Sequence, residues 1–309
     1  MIKLINIIYV LIFILLISCS KTKDLYVVNN KPFEIEKHFI NPKTTDSSIN
    51  YWLNPHYVVS NKALIKTPRL ILYLTGTGGS PQNGSFFIDS IAKNASNVIS
   101  LSYPNTLTQW SFCQTRGDEC FDNFRSELLW GFDDKISKVQ DISKSNCVYN
   151  RVFKLLVFLS INFHDQGWNY FISDGKIDWS NIIVSGWSQG GGLALFISKN
   201  YPVKRVVMFS APSDYLLSKK KPASWLSKPG VTDITNIYGF ASLTDKDIPI
   251  DVILSNWNAI QIPGNIEMIA PNSLLTNQHK LLIETGDHAS PNYNLKYSKI
   301  WSYLFNVPH

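Results

Sequence analysis

Short, continuously apolar runs separated by amphipathic stretches are the most regular feature of the chain. Six of these runs predict buried strands, at residues 69–75, 97–101, 181–185, 204–209, 235–240 and 279–284. Strands that are apolar on both faces are typical of a parallel sheet covered by helices on both sides. Helical patterns occupy residues 86–93, 148–159, 190–199 and 293–305. This alternation predicts an α/β fold with a mostly parallel sheet, to which residues 33–60 add antiparallel edge strands.

Residues 104–134 interrupt the alternation. The segment is long for a connection within a compact domain, and such segments are usually functional or disordered. Its aromatic residues are Trp110, Phe112, Phe121, Phe124, Trp130 and Phe132. Two interpretations stay open: the rings form a lid or an acyl pocket, or they pack the segment onto the body of the domain.

The first eighteen residues predict a signal peptide instead of a part of the fold. Lys3 precedes an almost unbroken apolar run over residues 4–17. As a helix this run spans about 21 Å, which is shorter than a bilayer core of about 30 Å. A run of this length suits the apolar core of a signal peptide better than a membrane-spanning helix.

The residues LISC at positions 16–19 resemble the lipobox of bacterial lipoproteins. The resemblance implies that Cys19 is lipidated and begins the mature chain, with residues 19–32 as a polar tether and 33–309 as the folded domain. It also implies a lipid-anchored protein of the bacterial cell envelope, in the outer membrane or facing the periplasm, and Ser20 favours the outer membrane. An ordinary signal peptide or an uncleaved anchor is the alternative.

Export makes the other three cysteines interpretable. Cys113 and Cys120 bracket a short polar loop and are predicted to form a disulfide in an oxidising compartment. Cys147 begins a helical pattern and is predicted to be a buried free thiol. Because no histidine cluster accompanies these cysteines at zinc-ligand spacing, no metal site is predicted.

The formal net charge of +6 favours an anionic membrane surface or an acidic substrate as a partner. The basic residues are scattered, and the run of three lysines at 219–221 lies in a stretch with a loop pattern. Because the sequence also contains no recognisable nucleic-acid-binding module, nucleic acid is not expected as a partner.

Residues 186–190 match the motif G-x-S-x-G, with a predicted strand before it and a predicted helix after it. This context is the one that a nucleophile elbow requires, and it makes Ser188 the candidate nucleophile. The two glycines leave room for neighbouring backbone, and the helix that starts near Gln189 directs amide hydrogens toward developing negative charge. A glycine-rich turn with a passive serine is the alternative.

A serine nucleophile needs a base, and His288 is the candidate. It is the one histidine of six that follows a predicted strand in a loop, at the sheet edge where catalytic groups gather. The triad acid should lie between Ser188 and His288 in the chain. Asp245 is the first choice, and Asp247 and Asp214 stay open as alternatives. A solvent-exposed loop histidine and turn-capping carboxylates are the non-catalytic interpretations.

An oxyanion hole needs two hydrogen-bond donors. One is predicted to be the amide of Gln189, and the second the amide of Thr77 or Gly78 in the glycine-rich loop at 75–80. The loop lacks the lysine of a phosphate-binding P-loop, so oxyanion binding is the preferred interpretation.

Runs around these candidates carry a resemblance to a known family: LYLTGTGGSP (72–81), LSYPN (101–105), FRSELLWG (124–131), SGWSQGGG (185–192), RVVMFSAPSD (205–214), ASW (223–225) and IYGFASLTDKD (237–247). They resemble a family of exported bacterial α/β hydrolases over most of residues 69–305. The resemblance implies the α/β-hydrolase fold and a triad of Ser188, Asp245 and His288, without a cofactor. It implies no substrate, because the fold hosts many chemistries.

The reaction expected from these residues is hydrolysis of a small-molecule or polymer-borne carboxylic ester. A peptidase, a thioesterase, or a lipoprotein that binds a ligand or partner without turnover stays open as an alternative. A dehalogenase would need a carboxylate where Ser188 stands. Trp187 occupies a position where histidine is frequent in such elbows, which affects the shape of the pocket more than the mechanism.

Overall fold

A computed structural model describes residues 35–66, 68–132 and 140–306. The predicted signal peptide at 1–18, the predicted lipidation site Cys19 and the predicted tether that ends at residue 32 lie outside the described residues. Among the residues described, no helix combines the length and the apolar character needed to cross a membrane.

A nine-stranded sheet forms the centre of the described domain. Its strands are β1 (Ile35–Ile40), β2 (His56–Asn61), β3 (Leu70–Leu74), β4 (Asn97–Leu101), β5 (Ile182–Trp187), β6 (Arg205–Phe209), β7 (Ile237–Ser242), β8 (Ile266–Met268) and β9 (Lys280–Ile283). Their order in space is β1-β2-β4-β3-β5-β6-β7-β9-β8. Within this sheet β2 pairs antiparallel with β1 and β4, and the other neighbours pair in parallel.

The sheet confirms the predicted fold class, an α/β-hydrolase fold with a mostly parallel sheet. Each of the six predicted strands is present with its ends within two residues of the prediction, and the antiparallel pair β1 and β2 lies at one edge, as expected. Strand β8 was not predicted. Its three residues are exposed and include Glu267, so it lacks the continuous apolar pattern that marks the central strands.

Helices cover both faces of the sheet. Alternate residues of each strand point to opposite faces, and apolar residues on both faces are buried under the helices. The helices are α1 (Pro42–Thr45), α2 (Ser85–Ile91), α3 (Gln109–Phe112), α4 (Glu119–Trp130), α5 (Val148–Asn162), α6 (Gln189–Asn200), α7 (Ile250–Ile260), α8 (Ser290–Tyr293) and α9 (Ser298–Phe305). Leu72 of β3 belongs to the core shared with α4, α5, α6 and α7, and the adjacent Tyr73 belongs to the core shared with α2 and α9.

The helix predicted at 293–305 begins later than expected: Tyr293 ends α8, a 3-10 turn covers Leu295–Tyr297, and α9 starts at Ser298. The side chain of Asn294 accepts a hydrogen bond from the amide of Lys296 and caps a separate 3-10 turn between α8 and α9. Asparagine competes in this way with continuous helical hydrogen bonding, which explains the break.

Residues 104–132 are largely helical and pack onto the domain, as one of the two interpretations of the 104–134 segment expected. Phe121 and Phe124 of α4 are fully buried in the core. A disulfide joins Cys113 to Cys120 and ties the end of α3 to the start of α4, which confirms the predicted pairing. Cys147 is a buried free thiol at the N-terminus of α5, also as predicted.

Candidate active site

Ser188 occupies the single-residue turn between β5 and α6. Its backbone has φ 55° and ψ −120°, and its amide donates a 2.9 Å hydrogen bond to the carbonyl of Phe209 on β6. A positive φ at a non-glycine residue costs about 1–3 kcal/mol and persists only where the surroundings enforce it. The strained turn separates the serine from the regular side-chain alternation of the strand, as the nucleophile elbow requires.

Glycines on either side of Ser188 make this turn sterically possible. A Cβ atom at Gly186 would lie 2.3 Å from the carbonyl carbon of Gly190, and a Cβ atom at Gly190 would lie 2.1 Å from the carbonyl oxygen of Leu74. Both contacts are far inside van der Waals distance, so the elbow closes against β3 only with glycine at these positions.

His288 and Asp245 form a buried pair in the loops that follow β9 and β7. His288 Nδ1 lies 2.6 Å from Asp245 Oδ2, and the side chain of Asp245 has no exposed surface. The other carboxylate oxygen accepts the amides of Asp247 (2.9 Å) and Ile248 (3.1 Å). Because an ionised carboxylate only accepts hydrogen bonds, the imidazole donates through Nδ1 and keeps Nε2 as its basic atom.

The other two candidate acids have different partners. Asp247 is exposed, and through its amide it orients Asp245. Asp214 is fully buried and receives hydrogen bonds from Arg125 at 2.7 and 3.1 Å and from Trp225 at 3.1 Å. Within the described residues neither carboxylate is hydrogen-bonded to His288, so Asp245 is the candidate that the structure brings to the imidazole.

Potential cation ligands also meet here. Oxygen or nitrogen atoms of Asp245, Asp247 and His288 lie within 4.8 Å of one another. In this structure, Asp245 Oδ2 and His288 Nδ1 are hydrogen-bonded to each other at 2.6 Å. The arrangement therefore favours an acid–imidazole pair over a metal centre.

The loop of His288 is held beside the elbow by its backbone carbonyl, which accepts hydrogen bonds from Trp187 Nε1 (3.0 Å) and Ser210 Oγ (2.7 Å). The Trp187 and His288 rings lie 5.4 Å apart. In the described part of the chain there is no hydrogen bond between Ser188 Oγ and the imidazole. Such bonds are often long without substrate and tighten during the reaction.

The glycine-rich loop after β3 lies against the elbow, since a Cβ atom at Gly76 would be 3.3 Å from Ser188 Cβ. Thr77 Oγ1 donates to the side-chain carbonyl of Gln189 at 2.5 Å. The prediction of Gly78 as an oxyanion donor is wrong for a geometric reason: its amide donates to the carbonyl of Asn105 at 2.9 Å. Among described residues the amide of Thr77 has no acceptor, and the amide of Gln189 begins α6, where helical amides are unpaired.

Two residues that support this loop and the elbow were not assigned a role from the sequence. The Asn105 side-chain amide donates to the carbonyls of Gly76 (2.7 Å) and Gly79 (3.0 Å) and so fixes the loop. Arg125 donates to the carbonyl of Gln189 at 2.7 Å. Both lie in runs that carry the family resemblance, which was the one signal able to find them.

No family model matches the sequence, and no curated protein matches it. Solved structures align with most of the chain at low identity. Carboxyl esterase 2 of the mycorrhizal fungus Tuber melanosporum is 12% identical over 90% of this chain and 88% of its own, with a TM-score of 0.48. Esterase 2 of Thermogutta terrifontis is 13% identical over 88% and 97%, with a TM-score of 0.47. Acylaminoacyl peptidase of Pyrococcus horikoshii is 13% identical over 90% and 42%, with a TM-score of 0.47. Likeness at this level says nothing about activity.

Proposed function

We propose that the protein is a serine hydrolase that cleaves carboxylic esters through an acyl-enzyme, with Ser188 as nucleophile, His288 as base and Asp245 as the orienting acid. One observation carries the proposal: the buried 2.6 Å pair of His288 and Asp245 is anchored beside a strained serine turn. A hydroxyl becomes an effective nucleophile only with an adjacent base, and a base of this kind needs a third group to hold it.

The reaction proceeds in two steps. His288 Nε2 takes the proton of Ser188 as the serine oxygen attacks the ester carbonyl, and then returns it to the leaving alcohol. Water repeats the sequence on the acyl-enzyme, which releases the acid and restores Ser188. Asp245 stabilises the imidazolium that forms in each step and keeps Nε2 free. No step requires a cofactor.

Negative charge on the tetrahedral oxygen is stabilised by the amides of Gln189 and Thr77. Donors of this kind act best when they are fixed before the reaction. Asn105 fixes the loop that carries Thr77, and Arg125 holds the main chain of Gln189. An ester is preferred as substrate because an alcohol leaves more easily than an amine; an amide and a thioester remain alternative substrates.

Exported, lipid-anchored placement in the bacterial cell envelope belongs to the same proposal. It rests on the apolar run at 4–17 and the lipobox-like residues that end at Cys19. Acyl chains on Cys19 would hold the catalytic domain at a membrane, and more than one chain is needed for stable anchoring.

The experiment that tests the proposal is labelling of the full chain with a fluorophosphonate, which reacts with activated serines. We expect the parent to be labelled and Ser188→Ala and His288→Ala to be unlabelled. Ser224→Ala and His164→Ala are matched controls at exposed positions and should be labelled like the parent. A folded parent that stays unlabelled, or labelling that persists in Ser188→Ala, would count against the proposal and favour a binding protein on a hydrolase scaffold.

A further inference from the structure

A cavity of about 540 Å³ lies where the loop that carries the candidate base meets α2 and α8. Asp287 and Ala289, the two neighbours of His288 in the chain, line it, and so do Phe86, Tyr293 and Leu295. Cavities of about 300–1,000 Å³ are typical of small-molecule sites. The size of the cavity suits one part of a small-molecule substrate.

One wall of this cavity is a fixed aromatic surface. The Tyr293 ring stands perpendicular to Trp187 at a centroid distance of 5.4 Å, and the Phe86 ring is 6.1 Å from Tyr293. Gly84 has φ +72°, and a Cβ atom there would lie 1.8 Å from the Tyr293 ring. The tyrosine is therefore packed tightly between backbone and ring and offers a rigid apolar face.

Polar groups also line the same cavity. Asp287 Oδ1 accepts a 2.6 Å hydrogen bond from Ser290 Oγ, which lowers the pKa of the carboxyl group and keeps it ionised at neutral pH. Asp287 is exposed. Asn294 also lines the cavity and carries a side-chain amide. The cavity thus combines apolar rings with hydrogen-bonding groups.

The side of the site on which the cavity lies indicates which half of an ester it would hold. In the proposed mechanism His288 gives its proton to the leaving oxygen, so the alcohol must leave on the imidazole side. The cavity is lined by the two residues that flank His288 in the chain and by Tyr293, and the Trp187 ring packs against both Tyr293 and His288. It therefore adjoins the expected path of the alcohol.

We propose that this cavity binds the alcohol portion of the ester and that this alcohol is a saccharide. The inference rests on the proposed function. A sugar ring has an apolar C–H face that packs on aromatic rings and hydroxyl groups at its edge that donate to a carboxylate or an amide. An aliphatic alcohol would displace water from the ionised Asp287 carboxylate without offering a donor in its place, and removing water from a charge in this way is unfavourable.

In the reaction, the bond between the acyl carbon and the saccharide oxygen breaks, and that oxygen takes the proton from His288 Nε2. The acyl group stays on Ser188 until water attacks it. The products are the free saccharide and a carboxylic acid, with no oxidant or reductant involved.

The test compares acetates that share an acyl group and differ in the alcohol. The full chain is assayed with a mono-acetylated methyl glucoside, ethyl acetate and n-octyl acetate, and with p-nitrophenyl acetate as the report of acyl transfer itself. We expect kcat/KM for the glucoside acetate to exceed that for ethyl acetate by about tenfold or more, the usual scale of pocket discrimination.

Variants assign this preference to the cavity. Phe86→Ala and Asp287→Asn should each lower the ratio of glucoside acetate to ethyl acetate by about three- to tenfold, mainly through KM. Phe39→Ala is a matched control, because Phe39 is an exposed ring on β1. Asp233→Asn is the second, because the Asp233 carboxylate is held by the Thr235 hydroxyl as Asp287 is held by Ser290. Both controls should keep the parent ratio.

Two outcomes overturn the inference in distinguishable ways. If p-nitrophenyl acetate is hydrolysed but ethyl or octyl acetate is preferred, or the two cavity variants keep the parent ratio, the saccharide site is refuted and the serine hydrolase stands. If neither p-nitrophenyl acetate hydrolysis nor fluorophosphonate labelling occurs, the proposed function fails and the inference fails with it.

Discussion

At the scale of single residues, the carboxylate of Asp245 is oriented on both sides. One oxygen receives two backbone amides of its own turn, and the other faces His288. A neutral amide in its place would present a donor to the imidazole and favour the wrong tautomer. The exposed Asp247, two residues away, lacks a hydrogen bond to His288 within the described residues.

We therefore predict that Asp245→Asn lowers kcat by about ten-thousand-fold, as tautomer loss does in other triads. Asp247→Asn is the matched control and should keep a rate close to that of the parent. Ester hydrolysis measured at saturating substrate for both variants checks the prediction. If Asp247→Asn is the crippled variant, Asp245 is not the triad acid.

A second residue, His56 on β2, affects stability instead of chemistry. It is fully buried, and its Nδ1 accepts the amide of Ser102 at 3.0 Å. Burial, with a further contribution from the nearby Arg151 charge, lowers the pKa of His56 from 6.5 to about 3. Below about pH 6.5 the unfolded chain binds a proton at this histidine that the folded chain does not bind. Folding stability from this group is therefore complete above pH 6.5 and is lost as the pH falls toward 3.

We expect this group to remove roughly 1 kcal/mol of unfolding free energy for each pH unit below about 6.5. His56→Gln keeps a side-chain acceptor for the Ser102 amide but cannot be protonated in this range, so its stability should fall less steeply. Urea unfolding of both proteins at several pH values measures the two slopes, and contributions from other groups cancel in the difference. Equal slopes would contradict the prediction.

At the scale of elements, a buried ion pair joins α4 to the segment after β6, where Asp214 lies. Arg125 and Asp214 have fully buried side chains, and Arg125 also donates to the carbonyl of Gln189. Removing one member of a buried pair leaves an uncompensated charge, which is strongly destabilising.

Arg125→Met should lower the free energy of unfolding by about 3–5 kcal/mol. Arg116→Met is the matched control: Arg116 is exposed and donates to the carbonyl of Phe112, so its change should stay within about 0.5 kcal/mol. Denaturant unfolding of the two variants and the parent gives the values. A loss below about 1 kcal/mol in Arg125→Met would show that Asp214 does not remain charged and buried without its partner.

The pattern of apolar residues predicted an element correctly where the whole element is buried. Continuous apolar runs identified six central strands, whereas the exposed edge strand β8 has no such run. Helix α7 lies between β7 and β8 and was not predicted, although Val252, Ile253 and Trp257 are buried on one of its faces. The C-terminal pattern placed the start of the helix at residue 293 instead of Ser298, because periodicity does not register a single capping asparagine such as Asn294.

At the scale of the whole molecule, the lipobox-like residues before the domain make a prediction about attachment. When the full chain is expressed in a bacterium that processes lipoproteins, we expect an incorporated fatty-acid label and partition into the detergent phase. Cys19→Ser should lose both, because the thiol is the acylation site that the lipobox resemblance implies. Cys147→Ser is the matched control and should keep both, since Cys147 is a buried N-cap where serine serves equally well. Label retained in Cys19→Ser, or absent from the parent, would contradict lipidation at this residue.

The sequence by itself determined the fold class, the position of the elbow and the disulfide, because each depends on local pattern: apolar runs, glycines next to a serine, and two cysteines that bracket a short loop. Only the tertiary structure decided which of Asp214, Asp245 and Asp247 reaches the imidazole. The hydrogen bond from the Gly78 amide to the Asn105 carbonyl is likewise a contact between distant segments. The tertiary structure also decided that residues 104–132 pack as helices onto the domain. Contacts between loops far apart in the chain depend on the order of the strands that carry them, and that order is set by the packing of the whole sheet rather than by any one segment.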